Sequence, residues 1–160
     1  MQMPKWNDTE PNLLERQRLL KAQGCTNMRV RQTARALTDF YDLVMAPSGL
    51  HSNQFTLLIP LHLQPGLTIG QLTQITGLDR TTLARNLDLL RRRKLLCVQP
   101  GEDQRTRVIH LTEQGREALK RALPLWEQAQ QHVAGALGQA QIGKLYKYLD
   151  VLEALPDAAR

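Results

Sequence analysis

Hydroxyl and guanidinium groups gather near the start of one predicted helix, from residue 79 to about residue 93, where they can bond nucleic acid. At about 100° per residue, Leu83, Leu87 and Leu90 share one face, which we expect to be buried. The polar residues on and beside the opposite face are Arg80, Thr81, Thr82 and Arg85. An arginine can bond O6 and N7 of a guanine together, and a threonine can bond a phosphate or contact a thymine methyl group. These residue types favour contact with DNA bases, and an ordinary solvated face is the alternative.

A hairpin with a charged tip is predicted directly after this helix. Its strand-like runs, residues 95–99 and 106–111, flank the segment PGEDQR, in which Pro100 and Gly101 favour a turn. Such a tip is either a solvated turn or a finger that contacts a charged partner. Because the helix before it carries groups that suit DNA and ends in the basic run 91–94, we interpret the hairpin as a second element that contacts DNA.

Three residues of the hairpin are candidate DNA contacts. Arg105 is suited to enter the neighbouring minor groove, where the potential is most negative. Asp103 would repel phosphate, so its predicted role is to hold an arginine in one rotamer through a bidentate pair. Arg107 is a secondary candidate.

The residues before the basic helix predict a helix-turn-helix. A short helix from Thr68 ends at Gly77, and the carboxylate of Asp79 is suited to cap the helix that follows. This arrangement would place the polar face of the second helix outward, where it can meet base edges.

Further helices are predicted on both sides of this unit. Apolar residues recur at steps of three and four within residues 11–22, 26–45, 52–63, 112–137 and 139–155. Ser52 suits the N-cap of the third of these helices, and the hydroxyl of Thr112 suits the cap of the fourth. Pro60 should kink the third helix or end it early. The order of elements predicts a mainly α fold with a small β-hairpin wing, that is, a winged helix-turn-helix with helical extensions.

The composition is that of one basic domain. The 160 residues carry a net charge of +6, which suits a polyanionic partner. The two cysteines and four histidines show no disulfide framework and no metal-ligand spacing. Without an apolar span or a signal peptide, a cytoplasmic protein with no membrane partner is expected. No nucleophile pair, phosphate loop or metal cage is evident, so we expect neither an enzyme nor a cofactor.

Residues 66–116 resemble the MarR family of bacterial transcription regulators. The resemblance rests on LTIGQLTQITGLDRTTLARNLDLLRRRKLL and on the wing GEDQRTRVIHLTEQGR, in which Asp103 and Arg105 fit the family's pattern. Lys94 departs from it, because the family usually has a glycine there and a lysine must make the turn without that freedom. The resemblance implies a homodimer whose recognition helices bind a palindromic operator in consecutive major grooves.

The last predicted helix independently favours a dimer. Four apolar residues keep a seven-residue repeat that suits packing along a second helix, namely Ile142, Leu145, Leu149 and Leu152. Packing within the same chain is the alternative. Together with the resemblance, this repeat predicts N-terminal dimerisation helices at 1–48, a winged helix-turn-helix DNA-binding domain at 49–112 and C-terminal dimerisation helices at 113–160.

The resemblance also implies a repressor that a small molecule, often aromatic, releases from DNA. The residues expected near a ligand cleft are aromatic or polar: Arg29, Tyr41, His51, His62 and Trp126. Each of them is alternatively an ordinary packing or surface residue.

Two other functions stay open. Cys25 lies near Arg29 and Arg31 at the start of a long helix, roughly where hydroperoxide sensors of the family have their reactive cysteine, and it would make the protein a redox-sensing repressor. A semi-buried structural thiol is the alternative for this residue. A winged-helix module that binds only protein is the other function, but that module should lack Thr81 and Arg85 on its outward helix face.

Overall fold

The structure, a computed structural model, describes residues 12–101 and 106–158 and confirms the predicted fold class. It is mostly helical, with one small antiparallel sheet. The chain divides into two compact units, Met1–Leu37 and Thr38–Arg160. Within the described residues, no helix is both long enough and apolar enough to cross a membrane.

Eight α-helices and three strands follow one another along the described residues. They are α1 (Leu13–Gln23), α2 (Thr26–Met45), α3 (Ser52–Leu63), β1 (Leu67–Thr68), α4 (Ile69–Thr76), α5 (Arg80–Arg92), β2 (Leu96–Pro100), β3 (Arg107–Leu111), α6 (Glu113–Leu137), α7 (Gln139–Glu153) and α8 (Leu155–Ala158). A single 3₁₀ turn, Ala46–Ser48, links α2 to the segment before α3.

The first unit contains α1 and most of α2. Asn12 caps α1, because its side-chain oxygen accepts a hydrogen bond from the backbone N–H of Glu15 at 2.9 Å. No residue of α1 is buried within the chain, and its leucines are exposed to solvent. The helix is therefore stabilised by its cap and by its own backbone hydrogen bonds rather than by burial.

The hydrophobic core of the second unit lies among α3, α4, α5, α6 and the sheet. Its most deeply buried side chains include Phe55, Leu58, Leu72, Leu83, Leu90, Ile109 and Ala122. The predicted apolar face of α5 is confirmed, because Leu83, Leu87 and Leu90 are all buried. Burial of this face turns the polar face of α5 outward.

The sheet has the order β1-β3-β2, and both pairings are antiparallel. β2 and β3 form the predicted hairpin, each within one residue of the expected bounds, with Val98 opposite Ile109. β1 was not expected, since Thr68 was assigned only to the helix that follows. A strand of two residues has no alternation of its own, and here it is held by pairing of Leu67 with Ile109.

The start of α3 differs from the prediction. Its N-cap is His51, and Ser52 is the first helical residue. The backbone N–H of Ser52 is satisfied from α2, because Oδ1 of Asp42 accepts its hydrogen bond at 2.6 Å. A carboxylate of α2 therefore satisfies one of the free N–H groups at the start of α3.

The expected early end of α3 at Pro60 is also wrong. The helix continues through Pro60 to Leu63. Pro60 lacks the N–H that would bond the carbonyl oxygen of Thr56, but the buried side chains of Phe55, Leu58 and Leu61 hold the helix against the core.

Candidate nucleic-acid interface

The start of α5 is fixed by the carboxylate of Asp79, as predicted. Its Oδ1 accepts hydrogen bonds from the backbone N–H groups of Thr81 and Thr82, each at 2.9 Å. Its Oδ2 accepts a hydrogen bond from the Thr82 hydroxyl at 2.7 Å. The bonds from Thr82 and then from Thr81 hold the pKa of Asp79 below its ordinary value. Gly77, with φ of 65°, makes the preceding turn in the left-handed region that glycine adopts readily.

The outward face of α5 presents the predicted hydrogen-bonding groups to solvent. Four exposed residues lie on or beside this face, namely Arg80, Thr81, Thr82 and Arg85. The Thr82 hydroxyl gives its proton to Asp79, so toward a ligand it can only accept. Thr81 and Arg85 are therefore the groups of this face best placed to donate.

The end of α5 is also rich in arginine, but its charges are paired within the helix. Asp88 accepts a hydrogen bond from Nη2 of Arg91 at 2.8 Å, and Nε of Arg92 lies 2.8 Å from its other oxygen. The hydrogen bond from Arg91 and then the charge of Arg92 lower the pKa of Asp88. Two of the basic residues that suggested a polyanionic partner are thus partly neutralised by one carboxylate.

The third arginine of this run, Arg93, turns back toward the protein. Its guanidinium donates to Oε1 of Gln54 at 3.0 Å and to the carbonyl oxygen of Gly49 at 2.8 Å. The next residue, Lys94, has φ of 57°, which confirms that a lysine makes the turn where the family usually has glycine. From the sequence, Arg93 was expected only as part of a basic run, because no local spacing connects it to residues so distant in sequence.

The wing is attached to the end of α5. The Thr112 hydroxyl donates to the carbonyl oxygen of Lys94 at 2.7 Å and, as predicted for a cap, accepts from the N–H of Gly115 at 3.0 Å. Arg107 is exposed at the first position of β3, opposite Pro100. Asp103 and Arg105, the predicted contacts at the tip, lie outside the described residues.

Comparisons with known proteins agree with this geometry. A family model described as the MarR family matches residues 48–105. The transcriptional regulator MosR of M. tuberculosis, solved in complex with DNA, is 36% identical over 80% of this chain and 98% of MosR, with a TM-score of 0.68. The chain belongs to the MarR family. It is therefore a winged-helix, DNA-binding transcriptional regulator.

Two more distant MarR-fold structures share the same architecture. The transcriptional repressor CouR, bound to a 23-mer DNA duplex, is 22% identical over 83% of this chain and 95% of CouR, with a TM-score of 0.75. BpsR of Bordetella bronchiseptica, whose DNA binding is regulated by 6-hydroxynicotinic acid, is 24% identical over 81% of this chain and 93% of BpsR, with a TM-score of 0.74. A comparison with curated protein sequences gave no match.

A cavity of about 480 Å³ lies between α3 and α6 of this MarR-family chain. Its apolar lining residues are Phe55, Ile59, Leu63, Leu119, Leu123 and Trp126. The rings of Phe55 and Trp126 are stacked at 5.9 Å between centroids. Its polar lining residues are His62, Glu113, Arg116, Glu117 and Lys120. Arg116 pairs with Glu113 at 2.5 Å and Lys120 with Glu117 at 3.3 Å, so each cation of the lining has an acidic neighbour.

The structure brings two of the five predicted ligand residues, His62 and Trp126, into this cavity. Tyr41 is half-buried and packs edge to face against Phe40, and burial followed by the charge of Tyr146 raises its pKa. His51 is exposed and bonds Asp42 instead, with Nδ1 2.8 Å from Oδ2. Among the described residues, neither Tyr41 nor His51 lines the cavity.

Arg29, the fifth of these residues, is an exposed residue of α2 in the first unit. The apolar lining of the cavity was not predicted from the sequence. The signal was present in α6, where Leu119, Leu123 and Trp126 recur at steps of four and three, but such spacing marks a buried face without saying whether the face lines a cavity.

Cys25 is exposed and directly precedes α2, and its carbonyl oxygen accepts a hydrogen bond from the N–H of Arg29 at 3.1 Å. A shallow surface cavity of about 380 Å³ is lined by Cys25 together with Asn27, Met28, Arg31, Gln32 and Arg35. Cys97 is half-buried in β2. Within the described part of the chain, no group of three His, Cys, Asp or Glu residues is placed to hold a metal ion.

Proposed function

We propose that the protein is a homodimeric repressor that binds a palindromic operator through α5 and the wing, and that a small apolar molecule releases it. The single observation that carries this proposal is the exposed polar face at the start of α5, opposite a fully packed leucine face. Arg85 supplies a bidentate donor for guanine, and Thr81 supplies a hydroxyl for a phosphate or a thymine edge. Arg80 and Thr82 flank these two residues.

The wing supplies the second contact in this proposal. Arg105 enters the minor groove beside the site of α5, and Asp103 holds an arginine in position. Arg107, exposed at the base of the wing, contacts a phosphate. The DNA complexes of MosR and CouR support a DNA-binding role for a chain of this fold.

The dimer is assigned to the helices on either side of the DNA-binding domain, with the domain at 49–112 and dimerisation helices at 1–48 and 113–160. In α7 the residues Ile142, Leu145, Leu149 and Leu152 are only half-buried within the chain. Packing against a second copy would remove this apolar stripe from water. Burial of apolar surface stabilises such an association by about 25 cal/mol per Å². Two copies related by a twofold axis would then place two recognition helices for a palindromic site.

The cavity between α3 and α6 is the proposed effector site. Its size and apolar lining suit a small molecule, and the stacked rings of Phe55 and Trp126 suit a flat one. His62 offers a polar contact on the same lining. The regulation of BpsR by 6-hydroxynicotinic acid supports an aromatic effector, and release requires that the effector favours a dimer whose helices no longer match the operator.

DNA selection tests the proposal. The purified full chain is incubated with random-sequence duplexes, bound molecules are sequenced, and dissociation constants are measured by fluorescence anisotropy at several salt concentrations. We expect a symmetric sequence, a dimer by analytical ultracentrifugation, and affinity that falls steeply with salt. A protein that is monomeric at micromolar concentration and prefers no duplex in low salt contradicts the proposal.

A thiol-based repressor is the second candidate, because Cys25 is exposed and shares a surface cavity with Arg31 and Arg35. Cys25→Ser should keep the DNA affinity of the untreated protein. If peroxide releases wild type from DNA and leaves the Cys25→Ser protein bound, the thiol is the sensor; equal release of both proteins excludes it.

A further inference from the structure

Arg93 joins the end of α5 to the beginning of α3. It is the C-cap residue of α5, and its two terminal nitrogens donate to Oε1 of Gln54 at 3.0 Å and to the carbonyl oxygen of Gly49 at 2.8 Å. We propose that Arg93 is a positioning residue for DNA recognition, which sets the direction of α5 by holding its last turn against α3. The inference rests on the proposed DNA-binding role of α5.

Both acceptors of Arg93 are themselves held in place. Gln54 is 6% exposed, and its Oε1 also accepts a hydrogen bond from the N–H of His51 at 3.4 Å. Gly49 ends the 3₁₀ turn with φ of 72°, and its N–H donates to the carbonyl oxygen of Ala46 at 2.9 Å. A guanidinium that bonds two fixed acceptors is restrained in orientation as well as in distance.

The same junction is tied to the end of α2. Asp42 bonds the N–H of Ser52 at 2.6 Å and contacts Nδ1 of His51 at 2.8 Å. Burial would raise the pKa of Asp42, but the bonds from Ser52 and the contact with His51 outweigh it and lower that pKa. A continuous set of polar contacts therefore runs from the end of α2, through the first turn of α3, to the end of α5.

The three adjacent arginines differ in a way that indicates a specific role for Arg93. Arg91 and Arg92 stay within α5 and share Asp88, whereas Arg93 reaches residues 39 and 44 positions away in the sequence. Helix α5 has 13 residues and is about 20 Å long, so a small tilt at its end displaces the groups at its start. The two recognition helices of a dimer must enter grooves about 34 Å apart. A tilt of each helix changes the distance between them, so we expect it to lower affinity for a duplex with the preferred spacing of half-sites.

A double-mutant cycle tests this inference in the full-length protein. Wild type, Arg93→Met, Gln54→Met and the double variant are titrated with the duplex that wild type selects, and with the same duplex carrying one extra base pair at its centre. Gln54→Met removes an acceptor of Arg93 without changing charge. Arg92→Met is the matched control, since it removes an equal charge from the neighbouring residue, which bonds Asp88.

We expect Arg93→Met and Gln54→Met each to bind the selected duplex about tenfold more weakly than wild type, and the double variant to bind it little more weakly than either. The affinity for the selected duplex divided by the affinity for the lengthened duplex should fall in the Arg93 and Gln54 variants. This ratio should stay at the wild-type value in Arg92→Met. A merely structural role lowers the folded fraction, which weakens binding to both duplexes equally and leaves the ratio unchanged. Thermal unfolding of each variant is measured alongside.

If Arg93→Met does not fold, Arg93→Lys decides the question, because it keeps the charge but cannot reproduce the forked geometry. An unchanged ratio in the folded Arg93 variants, with wild type discriminating between the duplexes, overturns the inference and leaves the proposed function standing. A wild-type protein that selects no duplex overturns the proposed function and this inference together.

Discussion

The two ends of α5 carry similar cations but use them differently. Near its start, the side chain of Arg85 is exposed and has no hydrogen-bond partner among the described residues, and the backbone of the first turn is fixed by Asp79. At its end, Arg91 and Arg92 are paired with Asp88 and Arg93 is bonded to the start of α3. Net charge alone would give the two ends equal roles in binding DNA.

This difference assigns base recognition to the start of α5 and positioning of the helix to its end. A side chain that keeps its donors toward solvent can discriminate bases, because a wrong base leaves those donors unpaired. A side chain whose donors are already bonded inside the protein contributes geometry and a screened charge. We therefore expect substitutions at the start of α5 to change sequence preference, and substitutions at its end to change non-specific binding, helix direction or stability.

Arg85→Ala should have the largest effect. It removes the bidentate donor proposed to bond a guanine, so affinity for the selected duplex should fall by about 1–3 kcal/mol, or roughly 5- to 150-fold. Anisotropy titrations of selected and scrambled duplexes measure it. Arg91→Ala is the control, since it removes the same charge from an arginine that already bonds Asp88. Equal losses in the two variants would show that the ends of α5 do not differ.

Asp88→Asn should raise affinity for DNA of any sequence. Without the carboxylate, Arg91 and Arg92 lose their common partner and become available to phosphates. Affinity for a scrambled duplex should rise several-fold, and the slope of log affinity against log salt should become steeper by up to about 1.8 if both arginines engage. Preference for the selected duplex should decline accordingly. An unchanged salt slope would mean that the end of α5 does not approach the DNA backbone.

Contacts of this interface could be predicted from the sequence where the two partners lie close together along the chain. The buried face of α5, the cap at Asp79 and the cap at Thr112 follow from spacings of three or four residues, and all were predicted. The contacts of Arg93 and the hydrogen bond from the N–H of Ser52 to Asp42 involve residues far apart in sequence. No periodic pattern encodes such pairs, because they exist only once the helices are packed.

The cavity illustrates the same limit in another way. The sequence suggested His62 and Trp126 for their chemistry, and both line it. Its apolar walls come from helix faces that also look like ordinary core, since a single sequence shows which residues are apolar but not whether two faces meet closely. The left-handed turn at Lys94 was predictable only because the family resemblance marked that position.

Lys94→Gly tests the structural role of the turn at the end of α5, where we expect no base recognition. Relief of the left-handed strain, about 1–2 kcal/mol, is offset by the greater unfolded-state freedom of glycine, about 0.5–1 kcal/mol. The net gain, about 0.75 kcal/mol from the midpoints of these two ranges, should raise the Tm by roughly 1.5–3 °C. Calorimetry measures the shift, and Arg92→Gly serves as a control that should lower the Tm. A lower Tm for Lys94→Gly would show that the lysine side chain stabilises this turn in another way.

Asp79→Asn should give the smallest effect, and its dependence on pH identifies the cause. Asparagine caps a helix about as well as aspartate, so the variant keeps the bonds from the N–H groups of Thr81 and Thr82. It loses the negative charge at the helix start and the oxygen that accepts the Thr82 hydroxyl. Because the folded pKa of Asp79 is lowered, its extra stabilisation is fully present above the ordinary aspartate pKa and is lost as the pH falls through the folded value. Wild type should therefore melt slightly above Asp79→Asn at neutral pH, and the two curves should converge in acid. All other carboxyl groups titrate in both proteins and therefore cancel in the comparison. A difference in Tm that persists unchanged into acid would show that the altered hydrogen bonds, and not the lost charge, cause the effect.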